Sequence, residues 1–416
     1  MNRSQVETRR DILSLIVIYV LFGLAQASNE FRVLFLEGQG LSAAECGRVL
    51  AAGSLLSAIS RPMAGALADK LRSRRIVYIG SVSLWILLLV LLLTIGHVRV
   101  AGFVLCAGFI PLVSIGDPVT YGMIEASGVN ASLMYPKLDF SLIRVALSIG
   151  YCVINFLYTP IVKQFGPSAP FACTVVYLIV MLAFCGKLRR FETVTSEKRA
   201  KVSINRNLGI GRLFKNYYLI TFVLLNFLMA LGTMTSSYMV FLIEELNMDV
   251  SLLGMTTGIR VLGELVIMPL IPRIKHRISL PMLQAIAAGC SLLQMILYLV
   301  CKNPYLILGV VVLGGVCSGI TLGTTAVYLR QMAPEGLDTT TLSLSNAVSN
   351  LGAIVMGLAG GAIIETMGIF ALYRMALGCL ILWFILYFGS WYFGKYVLKK
   401  VPPVPMFLPK EERAKQ

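Results

Sequence analysis

The sequence has little charge and few residues that commonly bind metals or act as catalytic bases. Only 13% of its 416 residues are Asp, Glu, Lys or Arg, whereas a soluble domain carries roughly 25%. There are two histidines, His97 and His276, and both fall in short predicted loops. The nine cysteines are scattered singly, without a Cys-x-x-Cys pair, which is typical of small apolar packing residues. We therefore expect no metal site, no cofactor and no catalytic residues, so the protein is not expected to be an enzyme.

Apolar runs of about 20 residues recur along the whole chain. Hydrophobic residues make up 57% of the sequence, and the mean hydropathy is +0.81. Backbone polar groups in a bilayer must be satisfied internally, so these runs predict an all-α membrane protein with the lipid bilayer as its surroundings. We place twelve spans at residues 12–36, 46–68, 76–96, 100–124, 141–164, 168–186, 217–243, 250–272, 280–301, 304–329, 339–364 and 370–394.

The net charge of +16 is distributed unevenly between the two sides of these spans. The N-terminus, the even-numbered loops and the tail hold 27 of the 36 Lys and Arg, four lie at odd-numbered loops, and five lie within spans. This asymmetry is the positive-inside pattern, which predicts a multi-pass protein of the cell membrane with both termini in the cytoplasm. It argues against a nucleic-acid partner, although the net charge alone would allow one.

The two halves of the sequence resemble each other. A glycine and a proline fifteen residues apart occur at Gly47 and Pro62 and again, 207 residues later, at Gly254 and Pro269. The short sequence that ends at Gly166 is likewise similar to the one that ends at Gly368, 202 residues later. We predict two pseudo-symmetric six-helix bundles, residues 1–186 and 217–394, joined by a basic linker at 187–216 and followed by a basic, disordered tail at 395–416. In transporters built from such repeats the substrate site lies between the halves. We also expect the protein to be a monomer.

Charged side chains within predicted spans are the strongest functional signal, because a charge at mid-bilayer costs at least ~2.5–3.5 kcal/mol. Arg260 and Glu264 lie one helical turn apart on one face, so this face should line a wet cavity. Burial raises the pKa of a carboxyl group and a neighbouring arginine lowers it. Glu264, with Arg260, is therefore the predicted proton-coupling group; a permanent ion pair that only orients the helix is the alternative.

A second set of polar residues is predicted to bind the solute. Arg144 offers planar, bidentate recognition, and it lies on the span after the one that carries Asp117, with which it is predicted to pair in the absence of solute. The other candidates are polar residues on spans 1, 5, 7 and 11, namely Asn29, Glu30, Tyr151, Asn226, Asn346 and Asn350. For each of these the alternative is a polar contact that only holds helices together.

The turn between spans 2 and 3, Gly65-Ala-Leu-Ala-Asp69-Lys70-Leu-Arg72-Ser-Arg74-Arg75, resembles the signature of the major facilitator superfamily at the same place. It departs from that signature at Arg72, where glycine is usual. The resemblance implies a gating motif formed by Gly65, Asp69, Lys70 and Arg74, in which Asp69 latches one conformation by accepting hydrogen bonds from a neighbouring helix. The alternative is that the arginines merely anchor the cytoplasmic face.

A narrower resemblance is to the branch that contains lactose permease, nucleoside–proton symporters and phenylpropionate-type permeases. It is carried by Asp117-Pro118, by Arg144 with Ser148-Ile149-Gly150-Tyr151, and by Gly263-Glu264-Leu265. The chain lacks the histidine and glutamate that lactose permease carries in span 10. The resemblance implies a secondary transporter, and we expect proton-coupled symport of a small polar solute: a sugar or oligosaccharide, a nucleoside or an aromatic acid. The alternatives are a drug or metabolite efflux antiporter and a non-transporting receptor or scaffold.

Overall fold

Long apolar helices make up nearly all of the protein. The computed structural model describes residues 3–71, 73–100, 103–135, 140–185, 210–301, 303–334 and 337–407. The chain divides into two units, Met1–Ile204 with Val250–Gly258 and Asn205–Asp249 with Ile259–Gln416.

The first unit contains helices that pack side by side around α1 and α5. They are α1 (Arg3–Gln26), α2 (Arg32–Gly38), α3 (Ala43–Leu71), α4 (Arg74–Ile95), α5 (Cys106–Met134), α6 (Phe140–Phe165) and α7 (Ala169–Ala183). Two antiparallel strands of two residues each, β1 (Arg99–Val100) and β2 (Phe103–Val104), lie between α4 and α5, with Arg99 paired to Val104.

The second unit repeats this pattern of long helices. They are α8 (Ile210–Lys215), α9 (Tyr217–Thr233), α10 (Met239–Glu245), α11 (Leu253–Ile267), α12 (Ile271–Ile274), α13 (Leu280–Val300), α14 (Pro304–Met332), α15 (Asp338–Met367) and α16 (Ile369–Tyr392). The boundary between the units falls inside α11, after Gly258.

Ten helical stretches in the described part of the chain are long and apolar enough to cross a membrane. The apolar helix α7, at 15 residues, is shorter than these ten. Helix α5 has 29 residues but also carries Asp117 and two prolines, which lower its hydropathy. The multi-pass membrane character predicted from composition is therefore confirmed.

The first span of each unit is interrupted at the same relative position. A 3-10 segment, Ala27–Phe31, separates α1 from α2, and another, Met234–Tyr238, separates α9 from α10, 207 residues later. In the first, the Ser28 hydroxyl donates to the carbonyl of Ala25 at 3.0 Å; in the second, the Thr235 hydroxyl donates to Gly232 at 3.0 Å. Hydroxyl groups that bond a carbonyl one turn back compete with the helical ladder, so the same local chemistry accompanies both interruptions.

Positive backbone φ angles recur at the same offsets. Gly40 (φ 83°) and Asn247 (φ 54°) are 207 residues apart, and Gly166 (φ 82°) and Gly368 (φ 80°) are 202 apart. Glycine and asparagine tolerate this conformation better than other residues. The offsets read from the sequence therefore appear in the backbone as matched helix ends.

The structure corrects two boundaries. Span 4 was predicted to end at residue 124 and to be followed by a polar loop, but α5 continues to Met134.

The tail is the second correction. It was predicted to be disordered from Lys395, but Met406 is only 2% exposed and lies in the apolar core of the second unit. The Ser279 hydroxyl donates to the Met406 carbonyl, and the Tyr218 hydroxyl donates to the Lys400 carbonyl at 2.9 Å. Most of the predicted linker, residues 187–209, lies outside the described residues.

Candidate functional site

Asp117 is the centre of a polar cluster within the first unit. It lies in the middle of α5, directly before Pro118, and its carboxylate accepts hydrogen bonds from the side-chain amides of Asn29 at 2.7 Å and Gln26 at 3.4 Å. Asn29 belongs to the 3-10 segment between α1 and α2. The interruption of the first span therefore brings an amide to the carboxylate.

Asn29 also connects Asp117 to an arginine. Its side-chain oxygen accepts a hydrogen bond of 2.6 Å from the guanidinium of Arg32. The Nε atom of Arg32 is buried and has no hydrogen-bond partner among the described residues. Arg32, Asn29 and Asp117 therefore form a hydrogen-bonded chain. At its Arg32 end, the Nε–H group is a donor without a partner among the described residues.

A second pair lies beside this chain. The Tyr151 hydroxyl on α6 donates to the carboxylate of Glu30 at 2.5 Å. The charge of Arg32 acts on Glu30 and Tyr151 as well as on Asp117, so the groups form one electrostatic cluster. The structure thus brings together four of the predicted solute-binding residues: Asn29, Glu30, Asp117 and Tyr151.

Two glycines allow α1 and α6 to approach closely enough for these contacts. A Cβ atom on Gly23 would lie 2.2 Å from the carbonyl oxygen of Leu147, and one on Gly150 would lie 2.6 Å from that of Val20. Any larger side chain would push the helices apart. The glycines therefore help to position Tyr151 against the 3-10 segment.

Arg144 belongs to a different group. Its charge acts on Tyr19 and Tyr121, and Tyr121 donates to the carboxylate of Glu125 at 3.3 Å. The predicted pairing of Asp117 with Arg144 is not observed: within the described part of the chain no ion pair joins them, and the Asp117 carboxylate has the two amide partners instead.

Glu125 was missed as a candidate because span 4 was predicted to end before it. It lies one turn after Tyr121 on α5, and a hydroxyl and a carboxylate at i and i+4 face the same side of a helix. The sequence does contain a signal that the helix continues past Glu125, because Val129, Leu133 and Met134 are apolar.

Arg260 and Glu264 lie on α11 and are both half-buried. Their part of the helix packs against glycines of α14: a Cβ atom on Gly315 would lie 1.8 Å from the carbonyl oxygen of Arg260, and one on Gly319 would lie 3.2 Å from that of Glu264. The backbone that carries the two charges is therefore held against a side-chain-free strip of α14.

The remaining candidates of the second unit lie on two helices, α9 and α15. The Asn226 amide on α9 donates to the Ser345 hydroxyl on α15 at 2.8 Å. This is a polar contact between helices, the alternative to solute binding that the sequence left open for this residue. Asn346 is exposed and Asn350 is half-buried.

The predicted gating motif surrounds the end of α3 and the start of α4. Gly65 is half-buried and Lys70 is exposed on α3, and Arg74 begins α4 after the capping residue Ser73. The side chain of Asp69 and all of Arg72 lie outside the described residues.

Among the described residues no group of three His, Cys, Asp or Glu could hold a metal ion.

Comparison with known proteins identifies a family and a fold. A model described as the MFS_1 like family matches residues 12–375. The maltose permease of Geobacillus stearothermophilus is 23% identical over 371 residues, 88% of this chain and 90% of that protein. The uncharacterized transporter YwbF of Bacillus subtilis is 24% identical over 238 residues, 56% of this chain, and the match spans only 57% of YwbF.

Solved structures of transporters share the fold. A mutant of the nucleoside transporter NupG superposes with a TM-score of 0.76 at 16% identity, covering 91% of this chain and 99% of that one. The POT family transporter PepTSo gives a TM-score of 0.68 at 11% identity, covering 92% and 98%. At these identities the likeness concerns the fold alone.

Proposed function

Because the chain belongs to the MFS_1-like family of membrane transporters, we propose that it takes up a small polar solute by alternating access, driven by a proton gradient. The neighbouring proteins are named for nucleosides, maltose and peptides. We keep a sugar or oligosaccharide, a nucleoside and an aromatic acid as the candidate solutes, since hydroxyl and carboxylate groups suit the donors and acceptors described above.

We also propose the complete topology of twelve spans. Helices α5 and α7 would join the ten stretches described above, giving six spans in residues 1–186 and six in 217–394, with 187–216 as linker and 395–416 as tail. The matched 3-10 segments at Ala27–Phe31 and Met234–Tyr238 support the duplication. The basic loops support cytoplasmic termini in the cell membrane, and the protein would act as a monomer.

One observation carries the proposed solute site: the chain from Arg32 through Asn29 to Asp117, which ends in the unpartnered Nε of Arg32. A buried polar atom without a partner is costly, so a solute oxygen that accepted this hydrogen bond would gain affinity. Glu30 and Tyr151 would contact other hydroxyl groups of the solute. Arg144 would complete the solute-binding set from the group around Tyr121.

Glu264 is the proposed proton carrier, with Arg260 as its modulating charge. Both are carried by a helix whose backbone is fixed against the α14 glycines, so a change of protonation would alter side-chain contacts rather than the helix position. Proton binding at Glu264 would then be coupled to solute movement through the change in charge.

A thermal-shift screen on the purified protein tests the proposed solute classes. Maltose, lactose, uridine and phenylpropionate represent the three classes, and the expected result is that one class raises the melting temperature of the wild type but not of Asp117→Asn. Uptake of the stabilising compound into proteoliposomes then distinguishes a transporter from a receptor. Stabilisation without uptake would contradict the proposal.

A further inference from the structure

An apolar groove of about 860 Å³ lies on the first unit, and no residue of the polar cluster around Asp117 is among those that line it. Its walls are α3 and α4, and its floor is α5, which contributes Ile115, Gly116 and Val119. Gly80 on the α4 wall gives it depth, because an added Cβ there would meet nothing within 4 Å.

The groove offers almost no hydrogen bonds along its length. Its two hydroxyl groups are already used: Ser60 donates to the carbonyl of Ser57 at 3.2 Å, and Ser81 donates to the carbonyl of Tyr78 at 2.9 Å. The other side chains along the walls are aliphatic, apart from one lysine, Lys70. A polar solute would lose its hydration in such a groove without replacement, whereas a hydrocarbon chain would not.

The length of the groove corresponds to one leaflet of a bilayer. It extends along α3 from Leu56 to Lys70, which is about 21 Å at 1.5 Å per residue. Half of a bilayer, including its headgroup region, measures roughly 20–22 Å. A lipid chain lying in the groove would therefore bring its headgroup to the end marked by Lys70.

That end of the groove is positively charged. Lys70 is exposed, and α4 begins next to it with Arg74 and Arg75, directly before the lining residues Ile76 and Val77. Clusters of Lys and Arg at the membrane surface attract anionic lipid headgroups. We propose that this groove binds one acyl chain of an anionic phospholipid from the leaflet at the basic face, with the lipid phosphate on Lys70.

Native mass spectrometry of the full chain tests this site without measuring transport. The protein is purified in detergent with equal amounts of phosphatidylglycerol and phosphatidylcholine, and the retained lipids are counted. The expected result is one retained phosphatidylglycerol in the wild type, at least about fivefold less in Lys70→Gln, and a similar loss in Gly80→Leu, which fills the groove.

Matched controls keep the result specific. Gly108→Leu places the same side chain in equally open space on α5, outside the groove, and Lys275→Gln removes an exposed charge of the second unit. Both should retain phosphatidylglycerol like the wild type. Equal retention of phosphatidylcholine, or unchanged retention in Lys70→Gln, would overturn the proposal; if Gly80→Leu fails to fold, Lys70→Gln alone decides. Because solute uptake is not the readout, either result leaves the proposed transport function untouched.

Discussion

The α-carbon of Gly315 lies so close to the backbone of Arg260 that an added Cβ atom would be 1.8 Å from the Arg260 carbonyl oxygen. The other side of the contact is also a glycine, since a Cβ atom on Gly263 would lie 2.8 Å from the carbonyl oxygen of Val312. Small residues that let two backbones approach are a common basis of helix association in membranes. Here they hold the helix that carries Arg260 and Glu264.

This contact predicts that Gly315→Ala separates α14 from α11. Overpacking of this kind costs typically ~1–3 kcal/mol, so the melting temperature of the purified variant should fall and its yield should drop. Gly309→Ala, on the same helix but with open space around it, is the matched control and should behave like the wild type. Equal stability of the two variants would show that α14 and α11 are not in this contact.

The two amides that bind Asp117 predict unequal effects of removing them. The Asn29 bond is 2.7 Å and continues to Arg32, whereas the Gln26 bond is 3.4 Å. A hydrogen bond to a charged group contributes ~1.5–3 kcal/mol, so Asn29→Ala should weaken solute binding about tenfold to a hundredfold, and Gln26→Ala less. Dissociation constants from thermal-shift titration check the order, and a larger loss in Gln26→Ala would contradict it.

Arg144→Lys should reduce solute affinity strongly although the charge is kept. Lysine cannot form the planar, bidentate contact of a guanidinium group. Arg374→Lys is the control, because Arg374 is exposed and bonds the carbonyl of Phe370 in its own helix at 3.3 Å. Binding measured on both variants should separate them; wild-type affinity in Arg144→Lys would remove this residue from the site.

The tail predicts a dependence of stability on a single methionine. Met406 is 2% exposed within the core of the second unit, and replacing a buried methionine by alanine costs ~2–5 kcal/mol. Met406→Ala should therefore lower the melting temperature. A chain that ends after Phe407 keeps this contact and serves as the control. Identical melting curves for Met406→Ala and the wild type would mean that the tail is not packed.

Sequence reasoning found the features that depend on local pattern. Apolar length predicted the ten stretches that are long and apolar enough to cross a membrane in the described part of the chain. The offsets of 207 and 202, read from glycines and prolines, recur in the positive φ angles at Gly40, Asn247, Gly166 and Gly368. Asp117, Asn29, Glu30 and Tyr151 were named as candidates because polar residues within spans are costly, and the structure places them together.

What the sequence could not predict depends on distant contacts. Arg144 was predicted to be the partner of Asp117 because the two residues lie on consecutive helices. In the structure the partner is Asn29, which lies in a 3-10 segment and donates a hydrogen bond to the Asp117 carboxylate. The packing of Met406 was missed because it depends on Ser279, 127 residues away, and the surrounding Pro-Pro-Val-Pro sequence is typical of a disordered tail.

Solute accumulation by Glu264→Gln in proteoliposomes tests the central claim most directly. The wild type and the variant are supplied with the compound selected by the thermal-shift screen, and uptake is measured with and without an imposed proton gradient. We expect the variant to exchange solute across the membrane but to accumulate none against its gradient, because a neutral amide cannot load and release the proton. Normal uphill accumulation by Glu264→Gln would contradict the account.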